Sequence, residues 1–180
     1  MSWGATTRGT EGLSGDLLVA VELGTQRGLN ALGIKGAELV QENIRTPYNG
    51  LPPAVCFENL VSNIGFSFVR EASICREIIG VSPSVQAFNY AAPVETGARP
   101  HMPPAAELVS WVKKKFGIED EKQATSIAFA VSKNISKRGT QGHEMFSRAL
   151  EALEPLAPDA MTHNLAVAFA EYGFPVRGAA

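Results

Sequence analysis

Near residue 103 the apolar pattern changes period, and no other feature of the chain constrains its fold as strongly. Before that point, "LVSNIGFSFV" (60–69) and "ICREIIGV" (74–81) are rich in β-branched and aromatic residues, with "REAS" as a turn between them. Strands this close pair as an antiparallel hairpin, because a parallel crossover needs about a dozen linking residues. After it, apolar residues recur at helical spacing. Leu108, Trp111, Val112 and Phe116 form one stripe, and Ala124, Ile127, Ala128, Val131 and Ile135 form the next. Met145, Phe146, Ala149, Leu150 and Leu153 follow, then Leu165, Ala168, Phe169 and Tyr172.

The punctuation agrees with four helices. Pro103 and Pro104 open the first and Gly117 closes it. Glu119, Asp120 and Glu121 start the second and Lys133, Lys137 and Arg138 end it, an order that complements the helix dipole, with Gly139 as the stop. The third runs from about His143 to Leu153 before Pro155; Asp159 is placed to cap the fourth, and Gly173 to end it. Ahead of the strands, Leu18, Val21, Leu29, Leu32, Val40 and Ile44 predict a helix from Ser14 to Arg45. Gly24, Gly28, Gly33 and Gly36 interrupt it at about 1 kcal/mol each against Ala, so its first half reads as the weaker. "TPYNGLPP" ends it in a loop. The expected fold class is α+β, with a long N-terminal helix packed on a small antiparallel β-sheet and a helical C-terminal half. A loose, Gly/Thr-rich segment 1–13 precedes the domain at 14–155, and 156–180 is a helical extension.

Composition narrows the function. Apolar residues make up 45% of the 180 and charged ones 19%, enough for a real core. No stretch approaches about 18 uninterrupted apolar residues, and "MSWGATTRGTEGLSG" lacks the basic flank and apolar run of a signal peptide, so a soluble protein with no membrane partner is expected. Cys56 and Cys75 lack CxxC spacing and read as reduced thiols, small buried hydrophobes in a cytosolic setting. The net charge of −2 hides a segregation: Arg99–Arg148 holds nine Lys/Arg against five Asp/Glu, and the remainder seven against thirteen. Two solvated faces would explain this. So would opposite ends of one subunit meeting opposite ends of its neighbours.

Chemistry is sparse. His101, His143 and His163 are widely separated, without i, i+4 pairing or a CxxC partner, so neither metal nor cofactor is expected. Neither cysteine has the supporting motif of a nucleophile. There is no GxxxxGK[ST] and no strand-linked GxGxxG. A hydrolase is the most distant reading, and no enzyme is expected. Lys113, Lys114 and Lys115, with Lys137 and Arg138, raise contact with DNA phosphates, which requires charge but no base readout. A solvated face with a snorkelling Lys115 is the plain alternative.

The stretch "YAAPVETGARPHMPP" (90–104) reads physically as a rigid corner between sheet and helices. Gly97 permits a positive φ, Pro100 stiffens the exit, and Glu95 and Arg99 are close enough in a tight turn to pair beside His101. The same stretch resembles the signature loop of the tail-completion, or neck, proteins of long-tailed bacteriophages, a Tyr-Ala-x-x-Val-Glu-x-Gly element followed by Arg-Pro-His. The matching positions are Tyr90, Ala91, Val94, Glu95, Gly97, Arg99, Pro100 and His101. "ELVSWVKKKFGI" and "IAFAVSKNISKRGTQGHEMFSRALE" are similar to the family's later helices and its Arg-Gly-Thr segment, and the resemblance covers about 25–155. "TPYNGLPP" stands where the family has an acidic loop, Ala98 where Thr is common, and 156–180 has no counterpart.

The resemblance implies a structural virion protein at the phage head–tail junction. It would form a homo-oligomeric ring that joins the tail to the head connector, present in the host cytoplasm during assembly. Its partners would be other copies of itself and neck proteins such as the head–tail connector and the tail terminator. Non-specific contact with packaged DNA is the alternative role, through Lys113–Lys115 and Lys137/Arg138.

Overall fold

The structure is a computed structural model that describes residues 2–6, 15–54, 58–71, 74–82 and 88–176. In chain order the first elements are β1 (Ser2–Thr6), α1 (Gly15–Arg45), α2 (Glu58–Ser62), β2 (Ile64–Glu71), β3 (Ile74–Val81) and α3 (Phe88–Thr96). There follow β4 (Gly97–Ala98), α4 (Ala105–Phe116), α5 (Glu121–Arg138), β5 (Thr140–Gln141), α6 (Met145–Leu153), a 3-10 turn (Glu154–Leu156) and α7 (Ala157–Glu171). The fold is α+β: a long N-terminal helix packs on a small antiparallel sheet, and the C-terminal half is helical. Contacts divide the chain into two compact units, Met1–Glu42 with Ile64–Ser82 and Phe146–Ala180, and Asn43–Asn63 with Pro83–Met145. This division does not follow the expected segments 14–155 and 156–180.

In the first unit, β2 and β3 form the expected hairpin, in register from Ile64 opposite Val81 to Glu71 opposite Ile74. The sheet has a third strand. Ser2–Thr6 pairs antiparallel with β3, giving the order β1-β3-β2, so the start of the chain is not wholly loose as expected. The strand expected from Leu60 begins only at Ile64, because Glu58–Ser62 is a short helix.

Helix α1 runs unbroken through all four glycines, and the reason is what they touch. A Cβ at Gly24 would lie 2.7 Å from Leu165 Cα of α7, and one at Gly28 would lie 3.3 Å from Met161 Cα. At Gly33 it would lie 2.8 Å from Glu77 Cγ and Phe66 Cδ2, and at Gly36 it would run into Ile79. With about 100° between successive residues, Gly24 and Gly28 lie on one side of α1 and Gly33 and Gly36 on roughly the other. One pair admits α7 and the other admits the sheet. Tertiary packing thus offsets the helix propensity that each glycine gives up. Ala20, Leu29, Leu32, Ala37 and Val40 are buried on the same helix. Two exposed ion pairs, Arg27 with Glu171 and Arg70 with Glu22, add little to this packing.

Helix α7 begins earlier than Asp159 suggests. Helix α6 ends at Leu153 before Pro155, as expected, and the 3-10 turn then carries the chain directly into α7, with Asp159 in its first turn. Tyr172, read as inward, is 39% exposed, whereas Ala168 is fully buried.

In the second unit, Tyr48 and Leu51 bridge across a turn whose Asn49 and Gly50 both have positive φ. This is the Asn-Gly turn that "TPYNGLPP" predicts. Helices α4 and α5 pack around Val112, Ala124 and Ala128, with Leu108, Trp111 and Ile127 against them. Gly117 ends α4 in the left-handed conformation, and the Asp120 carboxylate accepts from the Gln123 N–H to cap α5. Phe116, expected in the stripe, is 53% exposed. Ser132 is fully buried on α5, where its hydroxyl donates to the Pro103 carbonyl at 2.6 Å. Cys75 is a half-buried free thiol, and Cys56 lies outside the described residues.

One buried group of the first unit has a measurable consequence. Glu77 on β3 is 1% exposed, and among the described residues neither carboxylate oxygen has a hydrogen-bond partner. Burial raises its carboxyl from the ordinary 4.5 to about 7. Between those two values the folded chain holds a proton that the unfolded chain has released. Stability therefore falls as pH rises through that interval and stays reduced above it. The full loss is about 3 kcal/mol. Glu77→Gln should flatten this slope, read from urea midpoints between about pH 4.5 and 8. A wild-type profile that is already flat there would remove the buried-acid account.

Candidate functional site

The stretch singled out by sequence is built in three parts. Tyr90–Thr96 is the body of α3, with Pro93 inside the helix, and not loop as expected. Tyr90 contributes its backbone to that helix, and its side chain lies outside the described residues. Gly97–Ala98 is a two-residue strand, and the chain from Arg99 to Pro104 is irregular until α4 begins.

Main chain holds this corner. β4 pairs antiparallel with β5, Gly97 opposite Gln141 and Ala98 opposite Thr140. The His143 N–H donates to the Val94 carbonyl at 2.7 Å and the Glu144 N–H to the Glu95 carbonyl at 3.0 Å. The Thr140 hydroxyl accepts from the Ala98 N–H at 2.9 Å. Gly97 has the positive φ its position suggests, +76°, and a Cβ there would collide with the Thr140 carbonyl oxygen. From the other side, Gly139 has φ +71° and a Cβ on it would strike the Ala98 carbonyl. A Cβ on Gly142 would in turn strike the Glu95 carbonyl. Two backbone segments more than forty residues apart in sequence thus cross where no side chain fits. Sequence reasoning found Gly97 as the corner residue and Gly139 only as a helix stop. The spacing of "RGTQG" was the available signal for the other two.

A cavity of about 540 Å³ lies in this unit, lined by both strands of the corner, by the Leu51–Ala54 segment and by α4 and α5. His101 and His143 both line it, so the fold brings together two histidines that the sequence leaves apart. His101 is exposed, and its Nδ1 lies 2.8 Å from the Arg99 carbonyl. His143 is 5% exposed, and its Nε2 lies 3.1 Å from the Pro52 carbonyl. His163 is exposed on α7, in the first unit. Among the described residues no three His, Cys, Asp or Glu side chains group as metal ligands. Beside the corner, the Tyr48 hydroxyl donates to Glu144 at 2.6 Å, and Glu144 itself holds φ +50°.

The basic residues do not form one patch. Lys113 pairs with Glu121 across the α4–α5 turn. Lys115 sits over the Trp111 ring, 4.9 Å from its centroid, and Lys114 is exposed. Lys137 and Arg138 occupy the last turn of α5, whose 18 residues make it about 27 Å long. The two groups therefore stand at opposite ends of that helix.

Gly97→Val should destabilise the chain by at least about 1–3 kcal/mol, from the forced positive φ alone. The collision with Thr140 adds to this. Lys114→Gln should stay within about 0.5 kcal/mol. Denaturant melts of the two variants decide it, and equal midpoints would mean that the crossing yields without strain.

No family model matches this chain, and neither the curated proteins nor the solved structures give a match.

Proposed function

We propose that this chain is a structural protein of the phage head–tail junction. In this reading it is a neck or tail-completion subunit without catalytic activity, which oligomerises into a ring joining the tail to the head connector. It belongs to the virion, and to the host cytoplasm during assembly. The observation that carries the reading is the corner itself. The two segments that bear the resemblance, Tyr90–Pro104 and the Arg-Gly-Thr stretch at 138–140, lie far apart in sequence and pair as β4 and β5. A motif split in this way has a physical reason to exist as a pair.

Charge supports a polar, head-to-tail subunit. The second unit holds nine Lys/Arg against seven Asp/Glu, and the first holds seven against eleven. A closed ring requires two different complementary patches on one subunit. Apolar side chains are available for burial in such contacts, among them Phe116 and Phe129 in the second unit and Val19 and Ile34 in the first.

Native mass spectrometry of the purified chain should give a single closed oligomer, with a ring in negative-stain images. At about 0.15 M salt the screening length is roughly 8 Å, so added salt should slow assembly more than it loosens formed rings. Lys114→Glu should slow assembly in the same sense, measured by light scattering. A chain that stays monomeric but is retained on DNA in a salt-dependent way would support the DNA-contacting role instead.

A further inference from the structure

The sheet of the first unit ends in two strand edges that nothing among the described residues pairs. β3 is central, and β1 and β2 each spend one side on it. An open edge presents unpaired N–H and C=O groups to any other strand, and proteins guard it with prolines, lysines, bulges or very short strands. β2 carries none of these guards. It is eight residues long, contains no proline or lysine, and keeps one register without a bulge from Ile64 to Glu71. Its two charged residues stand at its end and are already engaged, Arg70 by Glu22 and Glu71 by Arg76.

The side chains of β2 show the same incompleteness. Ile79 on β3 is 4% exposed, whereas Phe66, directly opposite it on β2, is 42% exposed. Phe66 lies on the side of the sheet that faces α1, where a Cβ on Gly33 would come within 2.8 Å of its Cδ2. The apolar layer between sheet and helix therefore runs out to the edge and stops with a phenylalanine half bare. Side chains of one more strand would cover it.

We propose that the outer edge of β2 takes the outer edge of β1 from a second copy of this chain, so that the sheet continues from subunit to subunit. This contact rests on the ring proposed above and gives it a specific joint. β1 and β2 are both antiparallel to β3 and so run the same way. Neighbours in a ring of many copies differ by a modest rotation, which keeps their strands in nearly one direction, and β2 meets β1 in parallel. An antiparallel β2–β2 contact would need a twofold axis and would close at two copies. The two outer edges are different surfaces at opposite ends of one strand order, as a head-to-tail contact requires, and one contact satisfies both. Main-chain hydrogen bonds hold such a joint, and alternate side chains such as Phe66 select its register.

The test is amide hydrogen exchange on the full chain, assembled at high concentration and dissociated by dilution. In the oligomer, amides within Ser2–Thr6 and Gly65–Glu71 should exchange at least about tenfold more slowly than in the dissociated chain, at the alternate positions that point away from β3. A second readout uses a chain whose Cys56 and Cys75 are replaced by Ser. There, Gly4→Cys together with Ser67→Cys should give a ladder of multimers with a short bismaleimide, and neither change alone should. A closed oligomer whose Gly65–Glu71 amides exchange as in the dissociated chain would overturn this contact and leave the ring standing. A chain that stays monomeric at every concentration would remove the ring, and the contact with it. Dimers from Ser67→Cys alone would assign the edge to a twofold pair, and slowing at Gly65–Glu71 without Ser2–Thr6 would assign it to another occupant. Either result overturns the proposal.

Discussion

Both units depend on backbones that come closer than any side chain would allow. In the first, α1 meets α7 at Gly24 and Gly28 and the sheet at Gly33 and Gly36. In the second, Gly97, Gly139 and Gly142 let two strand-like segments cross. Such contacts combine two effects. They bring backbone and neighbouring atoms into dense packing, and at Gly24, Gly97, Gly139 and Gly142, where the neighbour is itself backbone, a single added methyl has no free space to enter. The seven positions make little apolar contact of their own. They set where the apolar residues can meet.

What was legible in the sequence follows from this. Periodicity and punctuation together located α1, the β2–β3 hairpin, α4, α5 and α6. Asp120 and Gly117 act as the punctuation suggests. The misses have physical causes. The glycines of α1 were read as local weakness, when their role is set by partners about forty to a hundred and forty residues away. Strand β1 carries too little alternation to announce itself, and its existence depends on pairing with β3. Helix α3 contains Pro93, which argues locally against a helix.

The candidate site was half legible. Gly97 was visible because a Gly between Thr96 and Ala98 suggests a positive φ, and it has one. Of its counterparts, Gly139 was legible only as a helix stop and Gly142 not at all until the crossing was seen. The meeting of His101 and His143 in one cavity is a property of the fold alone. Each unit also buries a polar group without a hydrogen-bond partner among the described residues, the Glu77 carboxylate in one and His143 Nδ1 in the other. Neither is marked by any local motif. Periodicity describes faces of elements, and it is silent about what a single polar side chain finds on the inner face.

The layout of the first unit bears on how the chain reaches its native state. Its three segments are separated in sequence, and its sheet joins Ser2–Thr6 to a strand that begins at Ile74. Its α1–α7 contact joins Gly24 to Leu165, near the other end of the chain. Closing such distant pairs is slow, because loop entropy must be overcome before the contacts contribute. On a ribosome, α1 leaves the exit tunnel long before its partner α7 has been synthesised. Until then its glycine-lined faces and buried residues such as Leu29 and Leu32 have no native cover. The α4–α5 hairpin is local and can form as it emerges. Completion of the first unit is thus tied to the synthesis of α7, and a nascent chain that stops short of α7 exposes the α7-facing side of α1 to whatever chaperone or neighbour reaches it first.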